Sequence, residues 1–324
     1  MSMSEAHLQS PTPNPQSLSI IIVSWNVRDL LRACLASIAD GRGDLSLDVI
    51  VVDSGSADGT PAMVRDDFPW VTLIARPDNV GFPRGNNIGI RQARGEKILL
   101  LNPDTEVAGD ALATMVNFLE SHPDVGVVGP QLRYPEGAIQ SSRRRFPTVA
   151  TAFWESTWLE PWAPRPVLDG YYVRDRPDDA TQDVDWVMGA ALMTRREVIE
   201  QVGLLDEAYF MYSEELDWCY RIKQEGWRVV YLPEAQIVHH EGKSSEQAVT
   251  ARHVNFQRAK LRYFRKYHGR AVATLLRLFL LANYAWQIIL EGTKGILGHR
   301  RALRWQRVAS YWQVLKSGLR PAGY

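Results

Sequence analysis

Residues 98–104, ILLLNPD, run four large apolar side chains into Asn102, a proline and the carboxylate of Asp104. Apolar runs of this kind fill strands covered on both faces, so the polar residue that ends one sits at an edge where a ligand can reach it. Two earlier runs finish the same way. SIIIVSW (19–25) carries Ser24 and is followed by Asn26, and DVIVVDS (48–54) carries Asp53. An acidic edge repels an anionic diphosphate unless a divalent cation lies between them, and Mg²⁺ or Mn²⁺ is commonly held by one or two carboxylates plus phosphate oxygens. Asp104 is then the expected metal ligand. A helix cap near Gly109 or a turn after Pro103 accounts for Asp104 taken alone equally well. A dinucleotide site would use Asp53 as a ribose partner, but it needs a glycine-rich turn after the first strand; the turn here is SWNVRD, which disfavours NAD.

The elements that must hold these residues are legible as alternating patterns. WVTLIA (70–75), KILLLN (97–102) and VGVVGP (125–130) join the two runs above as buried-type strands. VRDLLRACLASIAD (27–40), SADGTPAMVRDDF (56–68) and GDALATMVNFLESH (109–122) carry helical spacing or caps. Strands separated by helices imply right-handed crossovers and a mostly parallel α/β sheet with ligands beyond its carboxyl ends. The chain of 324 residues, 45% hydrophobic, suffices for one large core or two modest ones. Its two cysteines, Cys34 and Cys219, fit a reducing compartment and core packing, and they argue against a disulfide framework. Residues 1–17 are polar and proline-rich without an apolar secretion core, and are expected to be a disordered tail. Of the 37 basic and 37 acidic residues, 15 basic and one acidic, Glu291, fall within 251–324. An acidic body therefore carries a basic tail.

Taken in order, SIIIVSWN, VIVVDSGSADGT, NVGFPRGNNIGI, ILLLNPD, VDWVMGAALMTRREVIEQVGLLDE, YFMYSEELDWCYRIKQEGW and IVHHEGKS resemble the family 2 inverting glycosyltransferases of the GT-A fold. The resemblance is strongest to the rhamnosyltransferase-like branch, which builds bacterial cell-surface polysaccharides. It covers residues 18–245, with a donor half at 18–130 and an acceptor half at 131–245, and leaves 246–324 as a basic helical region. It implies transfer of a sugar, with dTDP-L-rhamnose as one candidate donor, to a glycan or lipid-linked glycan. The alternative is a non-catalytic sugar-nucleotide-binding subunit of a glycan assembly complex.

The resemblance also assigns roles. Ser24, Asn26 and Asp53 would hold the nucleoside, with Asp53 at the base; an Asx turn in DSGSADGT is the structural alternative for Asp53. NVGFPRGNN (79–87) would be a loop closing over the nucleotide, with Arg84 reaching a phosphate or ribose. The family's Asp-X-Asp motif appears as NPD, so Asn102 replaces one acid and Asp104 alone supplies charge. His240, the better family match than His239, is the expected second ligand of Mg²⁺ or Mn²⁺, and strand alternation would point the two imidazoles to opposite faces. Glycosyl transfer needs a carboxylate to take the acceptor proton, and Glu215 matches the family's base position, usually an aspartate. Glu214 and Asp217 are the neighbouring candidates, and helix capping after Ser213 is the competing explanation for this acidic group. VDWVMGAALMTRR would form one strand under the acceptor site, on which Trp186, Gly189 and Ala190 line the acceptor and donor sugar, with buried packing as the alternative for Trp186. Arg143, Arg144 and Arg145 would either meet an acceptor phosphate or form a solvated turn.

The segment 271–290, AVATLLRLFLLANYAWQIIL, approaches the length of a membrane span, but Arg277, Asn283 and Gln287 count against spanning. Peripheral contact of a cytoplasmic protein with the anionic inner face of the cell membrane fits the basic charge, with Trp286, Trp305 and Trp312 as interface anchors. Packing on the catalytic domain or on a second copy is the alternative. Nothing else in the sequence supports nucleic acid as a partner.

Overall fold

The computed structural model describes residues 17–241 and 249–320. The first half alternates strands and helices: β1 (Ser17–Ser24), α1 (Arg28–Asp40), β2 (Ser46–Ser54), α2 (Thr60–Asp67), β3 (Thr72–Arg76), α3 (Phe82–Gln92) and β4 (Lys97–Leu101). There follow β5 (Thr105–Val107), α4 (Ala111–Ser121), β6 (Val125–Arg133), β7 (Ile139–Gln140) and β8 (Arg143–Arg144). The next stretch holds α5 (Val149–Trp154), α6 (Arg165–Tyr171), β9 (Gln182–Val184), β10 (Trp186–Val187), β11 (Ala191–Arg195), α7 (Arg196–Val202), α8 (Glu214–Gln224) and β12 (Arg228–His239). Helices α9 (Val249–Tyr267), α10 (Gly269–Ile296) and α11 (Arg301–Ser317) close the described chain.

The main sheet runs β3-β2-β1-β4-β11-β6-β12-β5, with β7 beside β6 and β9 beside β12. β1 pairs in parallel with β2 and β4, β2 with β3, and β6 with β12, while β11 lies antiparallel between β4 and β6. The expected mostly parallel α/β sheet is what forms. Period-2 alternation divides each strand between two cores. Leu18, Ile20 and Ile22 face α1, α2 and α4, whereas Ile21, Val52 and Leu100 face α3, α8 and the C-terminal helices. Both cysteines are buried and unpaired, and burial pushes each thiol up to about 12, consistent with inert core residues.

Two sequence expectations change here. The segment read as a loop over 79–87 is loop only up to Gly81, after which α3 begins at Phe82. A Cβ on Gly85 would sit 2.8 Å from Val23 Cγ1, and one on Gly89 would sit 2.4 Å from Ile21 Cγ2. These glycines therefore let α3 lie close against β1. The stretch read as one strand across VDWVMGAALMTRR is two, β10 and β11, and the break between them carries Gly189 and Ala190. Of the expected N-terminal tail, residues 1–16 lie outside the described residues, and Ser17 already belongs to β1, its Oγ accepting from the Glu96 amide at 3.0 Å.

The basic tail is packed on the body. Tyr263, Phe264, Leu276, Leu280 and Tyr284 share a core with Trp218 and Cys219 of α8 and Tyr231 of β12. Lys260 donates to the Glu155 carboxylate at 2.8 Å, and Arg262 and Lys266 both pair with Asp206.

Candidate active site

The chain leaves β3 on one side of β1 and returns as β4 on the other, so the order reverses between β1 and β4. A cleft of about 420 Å³ opens beyond the carboxyl ends of these strands, where an open α/β sheet binds its ligand. Parallel register sets Ser24 directly beside Asp53, and Ile22 beside Leu101, which carries Asn102 and Asp104 just past the strand.

At the first strand ends, Ser24 and Ser54 line the cleft, and their hydroxyls are buried without a protein partner. Asp53 is buried; Oδ1 accepts from the Ser56 amide at 3.0 Å, as in the expected turn, while Oδ2 is buried without a partner. Buried polar atoms normally find a partner, so the Ser24 and Ser54 hydroxyls at adjoining strand ends fit a polar ligand, whereas Asp53 is not among the residues that line the cleft. Asn26 is used differently. At φ +53° it takes a hydrogen bond from the Ala57 amide on Oδ1 and donates its own amide to Ser56 Oγ, clamping two loops without lining the cleft. Arg84 is exposed on α3, 4.0 Å from Glu207, and also lies outside the cleft lining.

Asn102 and Asp104 both line the cleft, and the Asn102 amide donates to the Ala190 carbonyl at 2.9 Å, tying β4 to the β10–β11 break. The structure corrects the choice of histidine. His239, not His240, reaches the cleft: its Nε2 is 3.4 Å from Asp104 Oδ1 and 3.5 Å from Asn102 Nδ2. The His240 ring, one residue past the end of β12, turns to Glu106 at 2.6 Å, because successive residues of an extended chain point to opposite faces. A relay behind His239 fixes its tautomer. Gln140 Nε2 donates to Glu241 Oε2 at 2.9 Å, which leaves Gln140 Oε1 as an acceptor, 2.8 Å from His239 Nδ1. His239 Nδ1 then carries a proton, and Nε2 is the ring nitrogen turned toward Asp104.

Among the described residues no group of three His, Cys, Asp or Glu side chains forms a complete metal cage. The pair Asp104 and His239, one carboxylate and one imidazole, nevertheless fits Mg²⁺ or Mn²⁺ that takes its remaining ligands from phosphate oxygens.

On the facing wall, Tyr212 and Ser213 have φ of +75° and +63°, a left-handed pair that turns the chain into α8. Ser213 makes no side-chain cap, and Glu214, Glu215 and Asp217 occupy the first turn of α8. Glu214 and Glu215 both line the cleft, each with an Oε2 that is buried without a partner among the described residues. Burial, with a second carboxylate beside it, holds Glu214 well above the usual carboxyl range. Burial also raises Glu215, opposed by backbone amides including that of Gly189 and by Arg144. A Cβ on Gly189 would lie 3.5 Å from Glu215 Cβ, so the β10–β11 break packs against the base candidate. Asp217 belongs elsewhere: fully buried, it accepts from Arg221, Lys266 and Tyr267 at 3.0, 2.6 and 2.8 Å. Trp186 is a core residue whose indole donates to the Arg145 carbonyl at 3.0 Å, and it does not line the cleft. Arg143 and Arg145 are engaged with Asp178 and Asp175, and Arg144 lies over the Tyr172 ring, so this triplet serves the local fold.

Sequence reasoning passed over His239 in favour of its neighbour and missed Gln140, Glu241 and Ser54. It also missed Ala251, Arg252 and Asn255, which bring the start of α9 to the rim of the cleft. Only Ser54, at a strand end beside Asp53, carried a signal in the sequence.

The cleft at the switch point of this sheet is thus edged by Asp104 and faced by the raised pair Glu214 and Glu215. Residues 19–203, more than half of the chain, match the family described as Glycosyl transferase family 2, and the chain belongs to it. Similarity runs to the rhamnosyltransferase-like branch. The chain is 29% identical over 239 residues to the N-acetylglucosaminyl-diphospho-decaprenol L-rhamnosyltransferase of Mycobacterium tuberculosis, covering 70% of this chain and 77% of that one. It is 27% identical over 180 residues to the rhamnosyltransferase WbbL of Escherichia coli, covering 49% and 61%. Its fold resembles that of a mannosyltransferase from Pyrobaculum calidifontis solved with GDP-Man and Mn²⁺, with TM-score 0.55 and 20% identity over 95% of this chain and 86% of that one.

Proposed function

We propose that the chain moves a sugar, with inversion, from a nucleoside diphosphate sugar to a glycan acceptor carried on a lipid, in synthesis of a cell-surface polysaccharide. L-Rhamnose, carried as its dTDP derivative, is the donor sugar this reading favours, supported by the rhamnosyltransferases among the relatives. One observation carries the reading. Glu215, with its raised carboxyl and unpartnered Oε2, faces the same cleft as Ser24, Asp104 and His239.

Ser24, Ser54 and Asp53 hold the nucleoside at the ends of β1 and β2. Asp104 and His239 hold a divalent cation, which when bound neutralises charge on the departing diphosphate. Glu215 accepts the proton of the acceptor hydroxyl as its oxygen bonds to the anomeric carbon and the bond to the nucleoside diphosphate breaks. A single base suffices because water is not activated and no covalent sugar intermediate forms. The exposed Leu275, Leu278, Trp286 and Ile289 of α10 support contact with the inner face of a membrane, and residues 18–245 act as the catalytic domain.

Glu215→Gln keeps the shape and removes the proton acceptor. Turnover with dTDP-L-rhamnose and a prenyl-diphosphate-linked GlcNAc acceptor should fall roughly 10²–10⁴-fold, with donor affinity by calorimetry little changed. Near-normal turnover in the folded variant would move the base to Glu214.

A further inference from the structure

Beside the catalytic cleft lies a second cavity, of about 370 Å³, between residues 208–210, α9, α10 and Leu319. Arg258, Arg262, Arg265, Arg270 and Arg277 line it, and among the described residues no acidic side chain does. The first three follow i, i+4, i+7 spacing on α9, and Arg270 and Arg277 lie two turns apart on α10, so two helices turn cationic faces onto one space. Protein groups absorb only part of this charge. Arg262 meets both oxygens of Asp206, at 3.2 and 3.0 Å, and Arg277 Nε donates to the Gly318 carbonyl at 2.7 Å. Arg258, Arg265 and Arg270 form no ion pair among the described residues, and the Nε atoms of Arg258 and Arg262 are buried without an acceptor. Guanidinium groups gathered this way repel one another unless an anion joins them, and their planar forks match phosphate oxygens.

Phe210 and Asn255 line both this cavity and the catalytic cleft, so a ligand can occupy the two together. The acid-edged end of the cleft, around Asp104, takes the donor diphosphate in the reading above; the arginine cavity opens from the wall that carries Tyr212 and Glu214. Next to the face of α10 that bears Arg270, Thr274 and Arg277 runs its exposed apolar face, with Leu275 61%, Leu278 59% and Ile289 58% accessible.

We propose that the arginine cavity binds the phosphate or diphosphate of the acceptor amphiphile, placing its sugar past Phe210 in the cleft and its hydrocarbon along the exposed face of α10. The inference rests on the glycosyl-transfer reading and adds where the acceptor's anionic link is held. Expected acceptor selectivity then comes from a site separate from the one that holds the donor.

The test titrates the full chain, its cleft saturated with dTDP and Mn²⁺, with farnesyl diphosphate, inorganic pyrophosphate, farnesol and phosphatidylglycerol vesicles. Farnesyl diphosphate should bind more tightly than either pyrophosphate or farnesol. The double variant Arg265→Gln/Arg270→Gln, at exposed positions that spare the core, should lose roughly tenfold or more of that affinity at an unchanged melting temperature. Arg258→Gln should lose affinity in the same direction. Equal binding by wild type and variants, or displacement of farnesyl diphosphate by dTDP, would overturn the proposal. Pyrophosphate binding as tightly as the prenyl compound would reassign the cavity to a soluble anion, and arginine-dependent binding of vesicles alone would reassign it to a lipid headgroup; either result refutes an acceptor site. A wild-type protein that binds no dTDP, an outcome read in a separate titration, would instead overturn dTDP-L-rhamnose as the donor.

Discussion

Glu214 and Glu215 show how two adjacent, chemically identical residues acquire properties from position. Burial raises both carboxyls, and at Glu215 backbone amides, including that of Gly189, and Arg144 oppose the rise. A group whose folded pKa exceeds its unfolded value adds stability below the ordinary glutamate range and loses it as pH rises through the folded pKa. Glu214→Gln should therefore melt above wild type at neutral pH, with the difference closing as pH falls below that range. Melting curves across pH check this, and a difference independent of pH would mean that Glu214 is not a buried acid. The histidines make the same point about position. His239→Ala should weaken Mn²⁺ binding in the presence of dTDP by roughly 10–100-fold, while His240→Ala, whose ring lies on Glu106, should leave it nearly unchanged. Manganese paramagnetic resonance reads both; the reverse order would return the ligand role to His240.

At the scale of elements, α3 is the piece that places the donor wall. Its glycines at 85 and 89 share the side that meets β1, and the loop before it is pinned where the Phe82 amide donates to the Phe210 carbonyl at 2.9 Å. That contact joins the donor half to the segment leading into α8, so α3 sets the width of the cleft. Gly89→Ala would drive a methyl group to 2.4 Å from Ile21 Cγ2 and should cost about 1–3 kcal/mol as the helix is pushed off the sheet. Chemical denaturation measures the cost; a neutral or stabilising result would show that the helix has room to shift.

For the whole molecule, the uneven charge along the chain is largely a matter of how the tail sits on the body. Lys260, Arg262 and Lys266 meet Glu155, Asp206 and Asp217, so part of the basic charge that suggested a membrane serves packing. Arg258, Arg265, Arg270 and Arg277 line the arginine cavity beside the exposed face of α10, and Lys294, Arg304 and Arg307 gather on Glu291. Asp217→Ala would leave Lys266 and Arg221 without their buried partner and should cost about 3–5 kcal/mol, with earlier proteolytic release of the α9–α11 region. Turnover of the protein that remains folded should persist, which separates this structural acid from a catalytic one.

The strand ends were legible in the sequence because buried strands must be continuously apolar, so Ser24, Asp53 and Asp104 stood out against their runs. Parallel order followed from the alternation of strands with helices. The family followed from ordered motifs, and with it the interest of Glu215. What the sequence could not carry was direction and distance. Adjacent histidines are equivalent in a one-dimensional pattern, and only pairing of β12 with β5 and β6 decided that His239 turns to Asp104. The glycines of NVGFPRGNNIG read equally as a flexible loop or as a helix face, and only contact with β1 selects the second. Trp186, Asp217 and the arginines at 143–145 had chemistry to offer but were taken up by local partners. The arginines at 258–277 became a site because α9 and α10 fold back on each other, joining residues whose shared purpose depends on a space that exists only after the helices pack.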